Sequence, residues 1–198
     1  LLFLNPRAEG VVTAPPPLKE GARGTIAGEK RRPPLQQLAA TCALEHFTAT
    51  LAHDALANPG HLGGASEEAR RLWRWHAIEE IEHKAVAYDT YLHATRDMMP
   101  LRRWLKRCAV MGVTTLRFHY VIFRNTADLL RQDGRNDWTT WRHLLAYLYG
   151  RHGLMRHLLK GVVGYMRPGF HPWQHDDRPL LAEALALLNA PASREQAA

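Results

Sequence analysis

The stretch "WHAIEEIEHKAVAYD", residues 75–89, sets two histidines and three glutamates within eight residues of a segment with helical apolar spacing. Each residue of an α-helix advances by about 100°, so with His76 at the origin, Glu80 lies at about 40°, His83 at about −20° and Glu79 at about −60°. Glu82 falls on the far side. His76, Glu79, Glu80 and His83 thus share one stripe, which Leu72, Val86 and Ala87 extend in both directions. An apolar stripe is the face that packs inward, so the sequence predicts four titratable groups facing the interior. A buried carboxylate needs compensation. A network of arginines and histidines can supply it, and so can a metal ion.

Glu80-x-x-His83 has the spacing by which carboxylate-rich helical bundles bind metal from one helix. It works because residues three and four apart are neighbours on a helix face. The zinc-peptidase pattern of two histidines four apart is absent from this stretch. Here the histidines are seven apart, about 10.5 Å along the axis, too far to share one ion without strain. Glu80 and His83 are therefore the expected ligands. His76 and Glu79 are left for bridging, outer-layer or acid–base roles, and both are candidate catalytic groups. Upstream, "TCALEHFTATLAHDAL" places Glu45 on a face with Leu38, Thr41, Ala49, Ala52 and Leu56. A carboxylate amid small apolar residues calls for a cation, and Glu45 opposite Glu80 and His83 would complete a half-site. His46 and His53 lie on the flank of that face and read as surface or packing residues, with a metal role as the alternative for either.

The elements that must position these groups are all helical. Residues 1–34 are rich in Pro, Gly and charge and read as an extended or disordered tail. A first helix is expected from about Leu35 to Ala57, ending at "NPG". A second is expected from Ser66, a suitable N-cap, to about Asp97, with Glu67 and Glu68 favoured in its first turn by the macrodipole. Pro100 suits the first position of a third helix running to about Gln132, whose middle, "CAVMGVTTLRFHYVIF", reads as a buried helix. Further helices are expected from Trp138, over "LMRHLLKGVVGYM", and over "PLLAEALALLNA". The domain expected is residues 35–190, with a polar C-terminal tail at 191–198. No segment alternates like a strand. The fold class is all-α, a helical bundle.

A net charge of +7 on 198 residues is compatible with nucleic acid or an anionic membrane surface. The basic residues form no long block and no nucleic-acid motif is present, so no nucleic-acid partner is expected. Peripheral membrane contact stays open. No apolar run is long enough for a membrane span. The start, "LLFLNPRAEGVV", lacks the basic flank and apolar core of a signal peptide and suggests a fragment or an unusual gene start. Cys42 and Cys108 form no disulfide framework, so reduced thiols and a cytoplasmic location are expected. "RPGFHPWQHDD" reads as a packed loop over the bundle end, with His175, Asp176 and Asp177 as solvated loop residues, the alternative being a surface metal site.

"ALEHFTA", "LWRWHAIEEIEHKAVAYDTY" and "YMRPGFHPW" together resemble the bacterial predicted metal-dependent hydrolase family, over about residues 36–175. The resemblance implies a ferritin-like helical bundle with Glu45, Glu80 and His83 at ligand positions. It also implies upstream helices carrying Gly-Glu and Gln-Glu-x-x-His, which are not found here, so the chain resembles a member lacking its first half. A two-fold homodimer would bring two half-sites together. The function implied is hydrolysis of a small-molecule substrate with a divalent ion, iron, manganese or zinc. The alternatives are a di-iron oxidase or oxygenase-like protein, or an inactive member acting only as a binding protein.

Overall fold

The computed structural model describes residues 33–151 and 153–190. Of the expected tails at residues 1–34 and 191–198, residues 1–32 and 191–198 lie outside the described residues, and Pro34 already begins a helix. Seven α-helices and two short 3-10 turns, with no strand, make up the described residues. They are α1 (Pro34–Ala57), α2 (Glu67–Glu82), α3 (Val86–Ala94), α4 (Pro100–Gln132), α5 (Trp138–Tyr149), α6 (Leu154–Tyr165) and α7 (Arg178–Asn189). The all-α class is as the periodicity dictates, and none of these helices is long and apolar enough to cross a membrane.

The helix starts follow from local chemistry. Ser66 Oγ accepts from the Ala69 amide and Asp137 Oδ1 from the Thr140 amide, satisfying donors that a helix leaves orphaned. Pro100 begins α4, where its missing N–H costs nothing.

α1 is the central element, packed by α2, α3, α4, α6 and α7. Its buried residues are mostly small, among them Ala39, Ala43, Ala49 and Ala52, so neighbours approach closely. Gly161 carries α6 against it: a Cβ there would meet Thr50 Oγ1 at 3.0 Å, and the Gly161 carbonyl accepts from His46 Nε2 at 2.9 Å. Two apolar clusters result. The larger joins Phe47, Tyr91, Met111, Leu158 and Tyr165, and the smaller joins Ala52, Ala77 and Ile81 with Leu56 and Leu181. Arg107 is buried over the Tyr88, Tyr165 and Phe170 rings and donates to the Tyr88 hydroxyl and, at 2.8 Å, to the Arg167 carbonyl.

Two expectations are corrected. The second helix is not continuous to Asp97: it ends at Glu82, turns through residues 83–85 and resumes as α3. The turn tightens to three-residue hydrogen bonds, Lys84 N to Ile81 O and Val86 N to His83 O. No Gly or Pro marks it. What accompanies it is Lys84, whose ammonium reaches inward to Asp177 and the His175 carbonyl. The middle of α4 is not a buried helix either. Only Arg107 and Met111 are fully buried on α4, while Val113, Leu116 and Tyr120 are exposed.

Candidate metal centre

Glu45 leaves the middle of α1, Glu80 the last turn of α2, and His83 the residue that caps it. One ligand atom from each lies within 4.8 Å of the others, and His83 Nδ1 is 3.0 Å from Glu45 Oε2. His76 Nε2 stands 3.5 Å from Glu80 Oε1 one turn back. The close partners of these carboxylates are histidines; no arginine pairs with Glu45 or Glu80 among the ion pairs described.

The inward placement of the stripe is corrected. Ala77, Ile78 and Ile81 are the buried residues of α2, and their directions, about 100°, 200° and 140° from His76, centre the packed face roughly 100° away from Glu80. Leu72 and Val86, expected to extend the buried stripe, are 59% and 65% exposed. Glu79 and His76 are exposed, and Glu45, Glu80 and His83 are half-buried. The acidic stripe lies on the flank of the bundle, where water screens it. The reason is complementarity: Ala77 and Ile81 meet Ala52 and Leu56 of α1 and Leu181 of α7.

Of the loop residues expected to be solvated, His175 and Asp176 are exposed, but Asp177 is not. Asp177, at the start of α7, is 4% exposed. Lys84 Nζ lies 2.5 Å from its Oδ2, and His53 Nδ1 lies 2.8 Å from its Oδ1. His175 Nε2 is 3.3 Å from the same Oδ1 and 3.4 Å from His53 Nδ1. Burial alone would raise the Asp177 carboxyl, but hydrogen bonds from His53 and Lys84 and the Lys84 charge outweigh it and hold it below its ordinary value. Nearby, Asp54 is buried on α1. Its Oδ1 lies 2.5 Å from His157 Nδ1 and 3.0 Å from the Asn58 amide, while His61 Nε2 approaches Oδ2 at 3.0 Å without the alignment of a hydrogen bond.

His53, Lys84, Asp177, His175 and the Asp54–His157 pair all line one cavity of about 630 Å³, together with Lys160 and Arg167. His46 also faces it. Burial lowers the His46 pKa despite its bond to the Gly161 carbonyl, so the neutral ring donates from Nε2. His171 bonds Asp89 and caps the Pro172–Gln174 turn, which fits the packed-loop reading of "RPGFHPW". A second cavity of about 480 Å³ is mainly apolar and is bounded by Tyr91, Trp104 and Phe170. Lys84 and Asp54 are the residues that sequence reading missed, and Asp177 is one it placed in solvent. The available signal was weak: a lysine on the packed face of a helix, and Asp54 four residues before Asn58.

The model of a family described as predicted metal-dependent hydrolase matches residues 7–176. That match begins upstream of residue 36, inside the Pro-rich segment. Neither the comparison with curated proteins nor that with solved structures gave a match.

Proposed function

The chain belongs to the predicted metal-dependent hydrolase family, and on that premise we propose that it hydrolyses a small molecule with a divalent ion held by Glu45, Glu80 and His83. The observation that carries this reading is the meeting of one α1 carboxylate with the Glu80–His83 pair at the end of α2. Two carboxylates and an imidazole suit iron, manganese or zinc. Such an ion would lower the pKa of bound water and supply the nucleophile.

The residues divide the remaining work. Glu45 and His83 are already 3.0 Å apart and fix one edge of the site. His76 Nε2 stands 3.5 Å from Glu80 Oε1, close enough to exchange a proton with a water held between them. Glu79 is exposed and adjacent in sequence, free to take a proton from an attacking water. The half-buried setting leaves room for substrate on the solvent side. Leu44 and Val86, exposed apolar residues close in sequence to Glu45 and His83, and Leu72, exposed on the same stripe of α2, favour a second copy of the chain covering this face and completing the ligand set.

The test is metal content per chain by mass spectrometry, on protein sized by light scattering. Glu80→Ala and His83→Ala each lose the ion, while Glu82→Ala, on the opposite side of α2, keeps it. Equal retention in all three variants refutes the assignment. Hydrolysis of model esters that needs added zinc, manganese or iron, and that falls in the same two variants, supports the reaction class.

A further inference from the structure

Three ligand-type atoms from distant parts of the chain converge at the rim of the larger cavity: His53 Nδ1 from α1, and His175 Nε2 and Asp177 Oδ1 from the approach to α7. Their separations are 2.8, 3.3 and 3.4 Å. Ligands held about 2.1 Å from one ion stand about 3.0 Å apart at right angles and about 3.4 Å apart in a tetrahedron. All three edges fall close to that range. The triangle is small enough for one ion to sit just above its plane.

Hydrogen bonding alone fits this arrangement poorly. Both imidazole nitrogens face the same carboxylate oxygen and each other. If both carry protons, two N–H groups oppose at 3.4 Å; if His175 Nε2 is bare, the one His53 proton is shared between Asp177 at 2.8 Å and His175 at 3.4 Å, and the His175 lone pair is left 3.3 Å from the Asp177 oxygen. A cation at the centre satisfies all three. Lys84 occupies the other oxygen, Oδ2, and so leaves Asp177 a single oxygen to give and fixes its direction. Outer partners of this kind orient metal ligands.

We propose that His53, His175 and Asp177 form a second, mononuclear metal site, separate from Glu45, Glu80 and His83, with an open side on the cavity that takes an anionic ligand. Two histidines and one carboxylate are a donor set for zinc or iron(II). The anionic preference follows from charge. Asp54 and Asp177 are the carboxylates of this cavity, against Lys84, Lys160 and Arg167, so a bound divalent ion leaves its wall with a net positive charge. A phosphate or carboxylate group is the chemistry that such a pocket recognises.

The experiment uses the full chain carrying Glu80→Ala and His83→Ala, so that the first site cannot contribute, loaded with Co²⁺ as a spectroscopic probe. The expected result is one cobalt per chain with visible absorption, which inorganic phosphate perturbs. Adding His175→Ala abolishes the absorption. That side chain is 66% exposed, and its removal leaves the backbone carbonyl that binds Lys84, so the fold survives. His175→Cys instead retains cobalt and gains a thiolate charge-transfer band. Absorption unchanged in His175→Ala, or no cobalt bound before that change is made, overturns the site. A spectrum indifferent to phosphate overturns the anionic ligand. Failure here leaves the Glu45 site untouched, because that site is read in the reverse variant, His53→Ala/His175→Ala.

Discussion

Lys84→Met is the most informative single perturbation of this fold. Lys84 and Asp177 side chains are each 4% exposed, and their charged atoms lie 2.5 Å apart. Lys84 Nζ also holds the His175 carbonyl at 2.8 Å. Methionine keeps most of the stem and removes the charge. Asp177 is then left ionised and nearly buried in the cavity wall, with His53 as its chief partner. Removing one member of a buried pair costs about 3–5 kcal/mol, because the other charge stays uncompensated. A domain of this kind is stable by only about 5–15 kcal/mol, so the loss is a large share of the total. With a urea slope of about 2 kcal/mol/M, a 4 kcal/mol loss moves the midpoint by roughly 2 M. The assay is urea unfolding followed by circular dichroism, with chelator present to remove any metal contribution. The double variant Lys84→Met/Asp177→Asn, which removes both charges and keeps an acceptor for His53, recovers most of the loss. A single-variant cost below about 1 kcal/mol, the range of an exposed pair, refutes the claim that this ion pair is buried and holds the α2–α3 turn to α7.

Two smaller predictions follow from local chemistry. Ser66→Ala removes the N-cap acceptor of the Ala69 amide and lowers stability by about 1 kcal/mol, read as a shifted unfolding midpoint; Ser66→Asp retains the cap and should match the parent. Burial pushes the Cys42 thiol from its ordinary 9.0 up to about 12, so native protein leaves Cys42 unlabelled by thiol reagents at pH 8 and unfolded protein labels it. The folded thiol stays protonated where the unfolded one ionises. Its contribution to stability is therefore full below pH 9.0 and erodes as pH rises through about 12, an alkaline decline that Cys42→Ala should reduce.

Helix existence and most helix ends were legible in the sequence, since they depend on local facts. Apolar spacing, the Ser66 cap, Pro100 at a first turn and "NPG" after Ala57 fix both ends of α1 and α4 and the starts of α2 and α5 to within a residue or two. The grouping of Glu80 with His83 is equally local, being a property of helical pitch. The side of α2 that packs was not legible, because two apolar stripes compete on it. The choice between Leu72 with Val86 and Ala77 with Ile81 depends on what α1 and α7 present in return. The break at residues 83–85 carries no Gly or Pro signal and coincides with the long-range bond from Lys84 to Asp177, 93 positions away.

The sequence by itself thus determined an all-α chain with a Glu-x-x-His pair on one helix and a lone Glu45 on another. Only the tertiary structure decided that this group sits on the flank of the bundle, and that His53, His175 and Asp177 meet at a cavity. The physical reason is that helical geometry is set by bonds spanning four residues, whereas burial and side-chain convergence are set by which surfaces complement one another across the whole chain.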